Sequence, residues 1–218
     1  MNENLAARKK RSVQVVQKLK KLFPNARIVL KYKNNWELLV AVILSAQCTD
    51  KKVNEVTQKI FKKYKNLGDY IQADQKEFEQ DIKPTGFFRN KAKNILAAAK
   101  MIKGKFGGKV PRTMQEMLKL PGVARKTANV VLGNAYGIVE GIAVDTHVRR
   151  LSLKFRLSNH ADPNKIEQDL MKLVPKKDWF FLTYGLIEYG RHICPRRKHE
   201  CKDHPLTKIY QKAATIWP

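Results

Sequence analysis

The sequence predicts an all-α protein. Apolar residues recur at three- and four-residue spacing along nearly the whole chain, strict alternation over the length of a strand is hard to find, and the breaks between periodic runs are short. With 43% apolar residues over 218 positions, the chain can bury a real core without staples.

The first helix covers 4–23, with Leu5, Val15, Val16, Leu19 and Leu22 in one periodic set and Pro24 closing it. Its basic run Arg8-Lys9-Lys10-Arg11 lies inside that period, so it reads as a solvated face rather than a targeting signal. Helices over 35–47 and 50–64 follow, the second with Asp50 as N-cap. Next come 74–82 and the long 88–106, which Gly107-Gly108 ends. Thr113 caps 113–119, and Pro121-Gly122 turns the chain into 125–136. Helices over 146–156, 162–173, 177–192 and 206–216 complete the set. In the last, Leu206, Ile209, Tyr210, Ala213, Ile216 and Trp217 have a spacing suited to packing. No repeat, low-complexity tract or Ser/Gly linker marks a domain boundary.

Lysine and arginine total 44 against 19 acidic residues, a formal charge of +25, and a field of that size attracts a polyanion. Nucleic acid fits better than an acidic membrane: the basic residues are spread along the chain, and no apolar run approaches the roughly 18 residues of a span. Cys48, Cys194 and Cys201 make no disulfide framework, and Met1-Asn2-Glu3-Asn4 lacks the apolar core of a secretion signal. A reducing cytoplasm is the expected compartment.

Three segments carry chemistry. Leu118-Lys119-Leu120-Pro121-Gly122-Val123-Ala124-Arg125-Lys126-Thr127-Ala128 reads as helix, tight turn, helix. The second helix opens with free N–H groups and the positive end of its dipole, which suits a phosphate and grips a DNA backbone without reading sequence. An ordinary αα-hairpin with a Pro-Gly turn accounts for these residues equally well. Gly141-Ile142-Ala143-Val144-Asp145-Thr146-His147-Val148 is an apolar approach to an aspartate that starts a helix, where a plain N-cap is a frequent role. Leu44-Ser45-Ala46-Gln47-Cys48-Thr49-Asp50 closes one helix and starts another, and Gln47 there is also a common helix-terminal polar residue.

Together these segments, in order and spacing, resemble the endonuclease III family of DNA glycosylases, from about Leu38 to Cys201. Leu-Pro-Gly-Val-x-Arg-Lys-Thr-Ala resembles the family's helix-hairpin-helix signature, whose lysine is the nucleophile; the resemblance makes that Lys126. Gly122, Val123, Ala124, Arg125 and Thr127 then form the backbone grip. Ala124 departs from the pattern, since a second glycine is usual there and a methyl group is tolerated only at a negative backbone angle. Attack on the C1′ carbon needs a neutral amine, and Arg125, the positive helix end and partial burial would each disfavour the ammonium form. Ala-Val-Asp-Thr-His-Val is similar to the family's catalytic aspartate segment, so Asp145 would support the charge on the sugar. His147 would contact a phosphate or serve as a structural histidine. By the same resemblance Gln47 enters the space left by an extruded base, and Phe87, in Thr85-Gly86-Phe87-Phe88-Arg89-Asn90-Lys91-Ala92, is its companion wedge.

Most relatives end in Cys-x6-Cys-x2-Cys-x5-Cys, which holds a [4Fe–4S] cluster. Here Cys194 and Cys201 keep the first spacing, but His204 and Tyr210 stand at the third and fourth positions, so no iron–sulfur cluster is expected. Zinc on Cys194, Cys201 and His204, with His199 as a further donor, is a minor alternative.

The resemblance implies two helical domains with an active-site cleft between them, 28–139 and 1–27 plus 140–218. It also implies a bifunctional glycosylase and abasic-site lyase, a monomer associated with the nucleoid. The partner is double-stranded DNA holding damaged bases, oxidised pyrimidines such as thymine glycol, or abasic sites. Two rivals stand: a mismatch glycosylase in which Asp145 activates water, and a DNA-binding protein without catalysis.

Overall fold

The computed structural model describes residues 4–216, and these form eleven α-helices and three short 3-10 segments, with no strand among the described residues. The chain divides into two compact units, Val29–Ile138 and Met1–Ile28 with Val139–Pro218.

The unit 29–138 is built around α2 (Asn35–Leu44), in which every residue from Trp36 to Leu44 is buried. Such a helix is apolar all round because it is covered all round. Packed on it are α3 (Asp50–Lys63), α6 (Phe88–Lys105) and α8 (Arg125–Tyr136). Around them lie α4 (Leu67–Gln72), α5 (Gln75–Ile82) and the one-turn α7 (Met114–Met117). Trp36, Tyr64, Tyr70 and Phe78 meet edge to face or tilted, with ring centroids 5.1–5.7 Å apart.

In the other unit α11 (Trp179–His192) packs on α1 (Leu5–Leu22) and α9 (Thr146–Lys154), and α10 (Pro163–Leu173) packs on α1 and α9. Val15, Leu19, Val148, Leu151, Leu170, Leu182 and Leu186 make the common core.

Several elements differ from the sequence reading. α4 escapes the periodic pattern because it is one and a half turns long; Asn66 and Asp69 form a reciprocal capping box that starts it. Thr49, not Asp50, caps α3, its hydroxyl accepting the Lys52 N–H at 3.3 Å. α2 stops at Leu44, three residues early, and its chain leaves through Gln47 at a positive φ of 53°. The helix expected over 206–216 is a run of turns followed by a 3-10 segment, Gln211–Thr215. Its backbone bonds close three-residue turns, Ile209 N–H donating to Leu206 O at 3.1 Å and Ala213 N–H to Tyr210 O at 2.9 Å, while Lys154 Nζ donates to Ile216 O at 2.7 Å and the Cys201 thiol to Ala214 O at 3.7 Å at the end of the segment. Leu206 and Ala213 are buried all the same, so the apolar pattern was right about packing and wrong about backbone. Trp217 lies outside the described residues.

Candidate active site

The segment 118–128 folds as a hairpin between α7 and α8. Val123 is buried and closes a turn by donating to Leu120 O at 3.2 Å. Gly122 holds φ at +78°, and a Cβ there would lie 2.9 Å from the Cβ of Asn94 on α6, so both conformation and space require glycine. Ala124 is the N-cap of α8 at φ −92°, ψ 172°, a conformation any residue adopts, so its methyl group causes no strain. Its side chain offers no acceptor, and the first turn of α8 therefore receives no side-chain cap. That turn carries Arg125, Lys126 and Thr127. Arg125 and Thr127 are half-buried, and Lys126 is exposed. Burial, one of three influences expected on this amine, is thus absent, while Arg125 and the uncapped helix start stand beside it.

Gln47 and Phe87 also sit on this unit. Both are exposed, Phe87 to 66%, and both hold left-handed backbone, φ 53° and 49°, which side chains other than glycine adopt at a cost. Phe87 is therefore no core anchor; Phe88 beside it is half-buried. Beneath the two loops lies Lys91, only 4% exposed, whose Nζ donates to Leu44 O and Thr85 O at 2.8 Å each. One side chain thus ties the end of α2, from which the Gln47 loop departs, to the start of the Phe87 loop. Burial lowers the Lys91 pKa from its ordinary value. Its role is missed in the sequence, although a lysine on the same face as Ala92 and Ile95 was the available signal.

Asp145 belongs to the other unit. It is the N-cap of α9, its Oδ1 accepting the Val148 N–H at 2.8 Å, so the carboxylate is aimed by the helix it starts. His147 lies two residues on, half-buried, its ring against the backbone of α11. A Cβ on Gly190 would strike it, with the His147 Cγ 3.1 Å away. That packing favours the structural role for His147 over a phosphate contact.

Of the four positions that the resemblance assigns to a cluster, Cys194 and His204 come together but Cys201 and Tyr210 do not join them. Cys194 Sγ faces Arg150 Nη1 at 3.7 Å, and Cys201 Sγ is turned to the Ala213 and Ala214 carbonyls at 4.0 and 3.7 Å. The Tyr210 ring carries the Arg11 guanidinium 4.3 Å from its centre. With two thiols pointed at different partners, the residues present do not fit a [4Fe–4S] cluster.

Residues 40–176 match the HhH-GPD superfamily of base excision DNA repair proteins. The chain is 48% identical over 209 residues to the endonuclease III of Synechocystis, covering 96% of this chain and 95% of that one. To the endonuclease III of Bacillus subtilis it is 47% identical, covering 89% of each. It is also similar to the protein of a non-covalent endonuclease III–DNA complex, with a TM-score of 0.89 and 42% identity over 94% of this chain and 96% of the other. A trapped covalent endonuclease III–DNA intermediate gives the same TM-score, identity and coverage.

Proposed function

This chain belongs to the endonuclease III family of the HhH-GPD superfamily, and from that premise we propose how its own residues perform base excision. It is a DNA glycosylase with abasic-site lyase activity, and its partner is DNA. The substrates we propose are oxidised pyrimidines such as thymine glycol in duplex DNA, handled by a monomer in the cytoplasmic nucleoid and without an iron–sulfur cluster.

The Gly122–Ala124 turn and the uncapped start of α8 hold a backbone phosphate, while Gln47 and Phe87 fill the space left by the extruded base. The Lys126 amine, having lost its proton, attacks C1′. As the Nζ–C1′ bond forms, the N-glycosidic bond breaks and the base leaves with its electron pair. Asp145 stabilises the positive charge that develops on the sugar. Ring opening gives an iminium on Lys126, and loss of a C2′ proton expels the 3′ phosphate, cleaving the strand 3′ to the site. The observation that carries this reading is that one helical turn holds both the phosphate grip and an exposed lysine amine.

Borohydride added to the protein with a thymine-glycol or abasic duplex tests it. The expected result is a covalent protein–DNA adduct that Lys126→Ala abolishes while duplex binding persists. Base release without an adduct would instead indicate a monofunctional enzyme in which Asp145 activates water. Binding with neither adduct nor base release would leave only a DNA-binding protein.

A further inference from the structure

Where relatives carry the cluster, this chain gathers a different set of donors. One ligand atom each from Cys194, His199 and His204 lie within 4.8 Å of one another, the cysteine buried and the two histidines half-buried. They follow a Cys-x4-His-x4-His spacing in one loop after α11. Of the three, His199 stands at none of the four cluster positions, and Cys201, one of those four, is outside the group. We propose that Cys194, His199 and His204 bind a single divalent transition-metal ion, Zn2+ by donor preference, with water as fourth ligand.

The chemistry of the donors selects the ion. One thiolate and two imidazoles match the borderline-soft preference of zinc, whereas calcium and magnesium require oxygen ligands and a four-iron cluster requires four thiolates. The orientation of the histidines agrees. His199 Nδ1 donates to the Arg197 carbonyl at 2.7 Å, which fixes its tautomer and leaves the Nε2 lone pair as ligand, the arrangement usual behind a metal-bound histidine. His204 Nδ1 is buried without a hydrogen-bond partner, and such a nitrogen calls for an explanation that a metal supplies. The two rings stack at 5.1 Å and 28°, so they already stand side by side.

Cys194 is prepared as well. Arg150 donates to its carbonyl at 2.5 Å and places a second guanidinium nitrogen 3.7 Å from its sulfur, so the side chain is held in place at the end of α11. Donors around tetrahedral zinc stand roughly 3.5 Å apart, so the group must close by about an ångström. A loop of this length can do so without moving α11. The ion would link the end of α11, through Cys194, to the turn at His204 that begins the terminal segment. It would be a structural staple, and no step of the reaction uses it.

The test is metal content and stability of the purified full-length protein. With zinc supplied, one ion per chain is expected, retained through dialysis and raising the melting temperature. Cobalt substitution should produce the visible bands and thiolate charge transfer of a tetrahedral site. His199→Ala and His204→Ala should lose the ion and the cobalt spectrum while keeping the helical circular dichroism, and Cys201→Ser should keep both. His199 is half-buried in a loop, so its variant remains folded even where Cys194→Ser is not. A wild type that binds neither zinc nor cobalt, or an octahedral cobalt spectrum, overturns the proposal. So does iron and sulfide held through Cys201.

Discussion

Among single residues, Gln47 and Phe87, the proposed wedges, combine backbone strain with an exposed side chain. Each keeps a side chain in left-handed backbone that destabilises an ordinary residue by about 1–2 kcal/mol, and each is exposed, so nothing in the core requires it. Replacing either with glycine removes the strain and the proposed wedge together. Gln47→Gly and Phe87→Gly are expected to unfold at an unchanged or higher urea concentration, with about 1 kcal/mol to gain before the added backbone freedom of glycine is subtracted. Excision of thymine glycol should nevertheless slow by an order of magnitude or more. A variant that is both destabilised and fully active would remove the strained loops from the mechanism. The residues of the proposed site that could be read in the sequence are those in contiguous motifs: Lys126 in the hairpin, Asp145 at a helix start, Gln47 and Phe87 in their loops. Lys91 was not, because its role comes from the Leu44 carbonyl, brought near only by folding; His199 was legible as a possible donor, but its grouping with Cys194 and without Cys201 was not.

Between elements, the Lys91 bridge is the contact to break. Lys91→Met keeps the apolar stem and removes the donor, leaving two buried carbonyls unpaired at a cost of about 1–3 kcal/mol each. The expected outcome is a lower urea midpoint, accompanied by slower excision and weaker fluorescence from a 2-aminopurine placed to report base extrusion. If extrusion stays as fast as in the wild type while stability falls, Lys91 serves the core and not the loops. The helices themselves were largely legible because most carry one apolar face long enough to show a period, as α3 and α10 do. Where reading failed, the local pattern was too short or was overruled. α4 spans six residues, and the terminal segment has helical spacing but folds as turns and a 3-10 segment whose bonds span three residues.

For the molecule as a whole, charge decides how it meets its partner. A formal +25 spread along the sequence makes counterion release a large part of duplex affinity. Binding to a duplex with a non-cleavable abasic analogue is expected to weaken about 10³-fold between about 50 and 200 mM salt, with a log–log slope of about −0.9 per phosphate neutralised. A flat salt dependence would mean that the positive surface does not face the duplex. The order of the units along the chain has a separate consequence. α1 buries Val15, Val16 and Leu19 against helices encoded more than a hundred residues later, because the whole of 29–138 is inserted between them. On the ribosome this segment emerges before the inserted unit, with its apolar stripe bare, and must wait until translation delivers α10 and α11, while the inserted unit can already have folded. During synthesis, chaperones would find in α1 a target exposed for as long as the inserted unit takes to be made.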